Sequence, residues 1–72
     1  MSVRYFDICD TAYKRDSSTC KVTVLRVNSD GKVYEDEPTE YERERFSRHF
    51  LDAGVISEEI AYKLALDPSI SY

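Results

Sequence analysis

The residue types able to do covalent or metal chemistry in this chain are few and far apart. Cys9, Cys20 and the single His49 are its only thiols and imidazole. With Asp7 and Asp10 they are the donor types of a zinc site, but zinc ligands come paired at two-to-four-residue spacing. One separated cysteine pair and one histidine lack that pattern. Neither C-x-x-C spacing nor a neighbouring base activates the thiols, so no redox couple or nucleophile is expected. His49 needs an orienting carboxylate and a pocket to act as acid or base. Helix-spaced from Phe46 and Ala53 and next to Phe50, it fits a structural place at the border of an apolar stripe. No glycine-rich phosphate loop or nucleophile elbow occurs, and two glycines leave little backbone to cradle a ligand. The expectation is a non-enzymatic protein without metal or cofactor.

What remains is recognition chemistry, densest in EYERERFSRHF, residues 40–50. Arg43, Arg45 and Arg48 suit phosphate or carboxylate. A formal net charge of −4 nevertheless opposes polyanion binding over the surface as a whole. Glu40 precedes Arg43 by three residues and Glu44 precedes Arg48 by four, spacings that pair charges along a helix. Six tyrosines in 72 residues is a high count. Tyr5 and Tyr34 serve strands, whereas Tyr13, Tyr41, Tyr62 and Tyr72 are free for an interface, where a large ring with a polar tip is favoured. The expected partner-binding set is therefore Tyr13, Glu35, Asp36, Glu37, Glu40, Tyr41, Glu44, Arg45, Arg48 and Tyr62. Its carboxylates suit a basic, nucleic-acid-binding protein partner. The alternative is a nucleic-acid-binding or transcription-regulatory protein that uses Arg43, Arg45 and Arg48. A recognition helix opening with Glu58 and Glu59 would repel a duplex, so direct nucleic-acid binding is not expected.

These residues need elements to hold them. Residues 2–9 alternate as a strand, residues 10–19 read as a polar loop, and CKVTVLRVN at 20–28 is the strongest strand signal. Asp30-Gly31 fits a two-residue type I′ turn into a strand at 32–36. Thr39 with Glu42 makes a capping box behind Pro38, opening a helix over 40–53 that Gly54 would close in left-handed conformation. Ser57 caps a second helix, 58–66, and Asp67-Pro68 ends it before a tail at 68–72. The fold class is thus α+β in one domain, residues 1–72. It is a three-stranded antiparallel β-meander followed by an α-helical hairpin (β-β-β-α-α) packed on one sheet face.

With the first hairpin centred between Lys14 and Arg15, Cys9 faces Cys20. The pair is then either reduced or a cross-strand disulfide worth about 3 kcal/mol. In this register Phe6, Ile8, Leu25, Val27 and Tyr34 share one sheet face, and Val3, Tyr5, Val22, Val24 and Val33 share the other. Two short helices cover one face only. The second therefore becomes a homodimer or partner face, unless a bulge or another register merges the two sets.

FLDAGVISEEIAYKL, residues 50–64, resembles the helix–Gly–Ser–Glu-Glu–helix pattern of short bacterial oligomerisation (SHOCT-like) motifs, which implies protein–protein contact. In size and acidity, without a catalytic motif, the chain resembles phage- or mobile-element-encoded inhibitors such as anti-CRISPR proteins. That resemblance implies a small acidic protein–protein interaction module blocking a nucleic-acid-processing complex. No apolar run approaches the about 20 residues of a membrane span. The polar MSVRYFDICD is not a signal peptide, so the expected location is cytoplasmic, in the host cytoplasm if phage-encoded.

Overall fold

A computed structural model describes residues 3–69. The expected strand start at Ser2 and the end of the tail, Tyr72 included, lie outside them. The elements in order are β1 (Val3–Ile8), β2 (Thr11–Asp16), β3 (Lys21–Val27), β4 (Val33–Asp36), α1 (Glu40–His49), β5 (Val55–Ile56) and α2 (Glu58–Leu66). The class is α+β with an antiparallel sheet and two helices, as expected. The sheet, however, has five strands rather than three, in the order β4-β3-β2-β1-β5.

The largest departure is TAYKRD, which forms central strand β2 instead of a polar loop. Its hairpin with β1 turns on Cys9-Asp10, at φ 51° and 64°. Two successive positive φ values are what a type I′ turn demands, and this pair lacks the glycine that usually announces one. A second turn over residues 17–20 brings the chain into β3. There the Asp16 carboxylate accepts from the Ser18 N–H at 2.9 Å and the Ser18 hydroxyl at 2.6 Å. β1 therefore pairs with β2, Val3 opposite Asp16 through Ile8 opposite Thr11, and not with β3. Cys9 and Cys20 sit in turns at opposite ends of six-residue β2, about 20 Å of strand apart. A disulfide needs Cα atoms within about 7 Å, so of the two states the sequence left open the bridge is excluded and the reduced pair holds. Both thiols are free and exposed.

The β3–β4 connection also differs from the expected two-residue turn. Asn28 accepts the Asp30 and Lys32 N–H groups on Oδ1, at 2.9 and 3.0 Å. Of this loop only Gly31 has positive φ, 79°. The longer loop sets Val27 opposite Val33 and Leu25 opposite Glu35, one residue out of the expected register. Because side chains alternate across a strand, such a slip exchanges the faces of β4.

With the register corrected, both sheet faces are apolar for a simple reason: each carries its own helix. Phe6, Ile8, Tyr13 and Val24 form one core with Phe46 of α1, with Val22, Phe50 and Ala53 packed at its edge. Ala12 and Leu25 form the other with Ala61 and Leu64 of α2, joined by Tyr5, Val33 and Ile56. The helices are thus on opposite faces, not a hairpin on one. The chain crosses between faces through edge strand β5, where Ile56 pairs with Tyr5 and Val55 with Phe6. The expected dimer face dissolves accordingly. Val22 and Val24 lie under α1, Tyr5 and Val33 lie toward α2, and Val3 alternates onto the same side as Tyr5.

Helix α1 starts as the sequence indicates, with the Thr39–Glu42 capping box formed in both directions. It ends at His49, not Ala53, and Gly54 has no positive φ. Phe46 is its one buried residue. That ring meets Phe6 edge-on at 5.5 Å, Tyr13 at 5.4 Å and Phe50 stacked at 5.2 Å. Aromatic pairs at these spacings add about 0.5–1.5 kcal/mol each beyond area burial. Ser57 caps α2 through the Ile60 N–H at 3.1 Å, and α2 keeps its expected bounds. Among the described residues no helix is long and apolar enough to cross a membrane.

Candidate functional site

The expected partner-binding residues are scattered. Tyr13 is fully buried, and its hydroxyl donates to the Glu42 carbonyl at 3.2 Å. It is a strut between β2 and α1, not a contact residue. Burial, reinforced by the Glu42 carboxylate, pushes its pKa above the usual tyrosine value. Glu35 binds Lys14 at 2.9 Å on the α2 side. Asp36 and Glu42 grip Arg26 from two directions, at 2.9 and 2.6 Å. Arg48 is held by Glu44 at 2.6 Å. Arg45 hydrogen-bonds the Tyr41 hydroxyl and lies over its ring, 4.4 Å from the centroid. Tyr41, Glu44, Arg45 and Arg48 thus do come together with His49, around a depression of about 150 Å³. Tyr62 is on α2, across the sheet, and Glu40 stands exposed on the first turn of α1.

Glu35, Asp36 and Glu44 are therefore engaged within the fold. The two helices do not form a helix-turn-helix unit, because β5 and the whole sheet separate them.

Glu42 ties three elements together and was read from sequence only as a cap. Its carboxylate accepts from both Arg26 terminal nitrogens, at 3.3 and 2.6 Å, and from the Thr39 N–H at 2.8 Å. Burial alone would raise its pKa, yet the Arg26 and Thr39 donors bring it below the usual glutamate value.

The feature with unspent recognition chemistry lies elsewhere on the α1 face, beyond the flank of that helix. One depression of about 420 Å³ is lined by Arg4, Arg15, Phe50, Leu51 and Val55 over Phe6. A second, about 410 Å³, is lined by Arg15, Lys21, Arg43, Glu37 and Phe50 beside Phe46. Arg15 and Phe50 belong to both, so the two read as one trough with an aromatic floor. Arg4 and Arg15 are direct cross-strand partners in β1 and β2. Like charges so placed, with Cβ atoms about 5 Å apart, repel.

No ion pair is formed by Arg4, Arg15 or Arg43 among the described residues, whereas Lys21, at the edge of the second depression, alternates with Thr23 toward the α2 side opposite Asp16. The expected Glu40–Arg43 pair is not made, which leaves Arg43 directed to the trough. Among the described residues Glu37 is the only carboxylate on its wall. Leu51 is 83 % and Val55 58 % exposed at the rim.

Sequence reasoning missed Arg4 and Arg15 altogether. Arg4 and Arg15 meet only through the turn at Cys9-Asp10. Arg43 was counted, but as a helix charge already neutralised.

Cys9 and His49 line a separate shallow depression with Asp7 and Asp52. No hydrogen bond joins the thiol to the imidazole, and no group of metal-ligand side chains occurs among the described residues. No protein-family model, curated protein or solved structure matches the chain.

Proposed function

We propose that this chain is a small non-enzymatic protein–protein interaction module that holds its partner in the trough beside α1. One observation carries the reading. Three arginines, Arg4, Arg15 and Arg43, line an aromatic-floored trough without a carboxylate ion-pair partner among the described residues, in a chain whose formal net charge is −4. Elsewhere this small domain pairs its charges economically, as at Arg26, Lys14 and Arg48. Interfaces favour such arrangements, with aromatic and arginine groups inside and a rim that excludes water. The exposed Leu51 and Val55 supply an apolar rim. If the partner is a nucleic-acid-processing enzyme, the same module acts as its inhibitor.

Site-specific photo-crosslinking tests the reading. A photoreactive residue at Leu51 should trap a discrete protein adduct in extract of the source cell, and one at Lys32, in the far β3–β4 loop, should not. Adducts at both positions alike, or at neither, would remove the trough as the binding face.

A further inference from the structure

We infer that the trough recognises an acidic peptide segment presenting one bulky apolar side chain, an inference that rests on the interaction-module reading above. Among the described residues its wall carries three arginines, Arg4, Arg15 and Arg43, against one carboxylate, so the site is locally cationic within an acidic protein. Arg4 and Arg15 face each other without a carboxylate between them. An incoming carboxylate placed between the two guanidiniums relieves their repulsion and accepts from both. This is a local conflict that the fold itself leaves unresolved, as binding sites commonly do.

The apolar part selects peptide over nucleic acid. At the Leu51–Val55 end the trough is walled by aliphatic side chains and Ala53, with Phe6 buried beneath. That end suits one aliphatic or phenyl side chain, and since Phe6 and Phe46 are buried and Phe50 stacks on Phe46 at 5.2 Å, the trough presents no row of open rings on which successive bases stack, as single-strand binders do. The chain's net charge of −4 opposes a long polyanion, whereas a short acidic segment fits between the trough's walls. Because two depressions join at Arg15 and Phe50, the occupant is extended. Its apolar residue sits toward Val55, with carboxylates running past Arg15 toward Arg43.

The test uses three short fluorescein-labelled peptides and one oligonucleotide of matched charge, with binding read by fluorescence anisotropy. In the first peptide a phenylalanine is flanked by glutamates, in the second by lysines, and in the third by serines. The glutamate peptide is expected to bind at least about tenfold more tightly than the others, with affinity falling as salt is added. Arg4→Glu and Arg15→Glu should each weaken it by about tenfold or more. Lys32→Glu, an equal charge change far from the trough, should alter it by less than about twofold.

Leu51→Asp, at a position already 83 % exposed, should abolish the preference for phenylalanine over alanine in that peptide. Arg4→Glu carries a second readout: by opposing charge to Arg15 it should raise the urea midpoint while removing binding. A purely structural arginine would lower both. Tighter binding of the lysine or serine peptide through the same residues would overturn the acidic-segment inference and leave the interaction module standing. Tighter binding of the oligonucleotide would overturn both, as would no trough-dependent binding of any probe together with no adduct at Leu51.

Discussion

Replacing Glu42 should loosen α1 from the sheet by an amount that can be worked out bond by bond. The carboxylate accepts two hydrogen bonds from Arg26 and one from the Thr39 N–H. A hydrogen bond to a charged group is worth about 1.5–3 kcal/mol when well buried, and an exposed ion pair about 0–1 kcal/mol. The two side chains are 18 % and 29 % exposed, so an intermediate value of about 1–2 kcal/mol is appropriate. Glu42→Gln retains an acceptor for the Thr39 N–H and should lose about that amount. Glu42→Ala also breaks the capping box and should lose about 0.5–1 kcal/mol more.

For a domain of this length, total stability is roughly 4–11 kcal/mol, so either variant should shift the urea midpoint visibly in far-UV circular dichroism. A double-mutant cycle of Arg26→Gln with Glu42→Gln should return a coupling of about 1 kcal/mol. The pH dependence adds a signature. The folded-state pKa of Glu42 lies below its ordinary value of 4.5. Its contribution is therefore complete above that ordinary value and fades as pH falls through the lower folded value. The gap between wild type and Glu42→Gln should be full near about pH 7 and shrink below about pH 4.5. A coupling under about 0.3 kcal/mol, or a gap unchanged at low pH, would refute the account of Glu42 as the clamp.

Other consequences are more local. Phe46→Ala removes the only buried side chain of α1 and should cost about 3–5 kcal/mol, seen as an early loss of helical signal in urea. Tyr13→Phe deletes the hydroxyl bond to the Glu42 carbonyl, at about 1 kcal/mol. Since burial raises the Tyr13 pKa above 10.0, its stabilisation is full below that value and lost as pH climbs through the folded one. The phenylalanine variant should lose that alkaline step in thermal melts. Both cysteines should react with a thiol reagent in the native protein, because each sits exposed in a turn; a protected thiol would contradict the placement of its hairpin. Gly31→Ala, at φ 79°, should cost about 1–2 kcal/mol, with the added methyl meeting nothing.

What the sequence alone determined here is chiefly local chemistry. Thr39 with Glu42 and Ser57 with Glu58 named both helix starts, because a cap is decided within four residues. Asp67-Pro68 named the end of α2 for the same reason. The α+β class followed from period-two stretches giving way to helical ones. What only the tertiary structure decided is pairing, since pairing depends on turns that carry no strong marker. Cys9-Asp10 turns without glycine, and Asn28 adds residues to the Asp30-Gly31 loop by taking two N–H groups on its side chain.

Those two turns exchanged the faces of β3 against β1 and β4, so that Val22 and Val24 join Phe6 and Ile8 while Leu25 joins Tyr5 and Val33. They converted an apparent surplus of apolar residues into two separate cores and made Tyr13 a buried strut. They also set Arg4 against Arg15. The candidate site was invisible in the sequence because its arginines come from β1, β2 and α1, positions that only the tertiary fold brings together. Register is a property of the whole sheet, and a slip of one residue sends a side chain through to the opposite face.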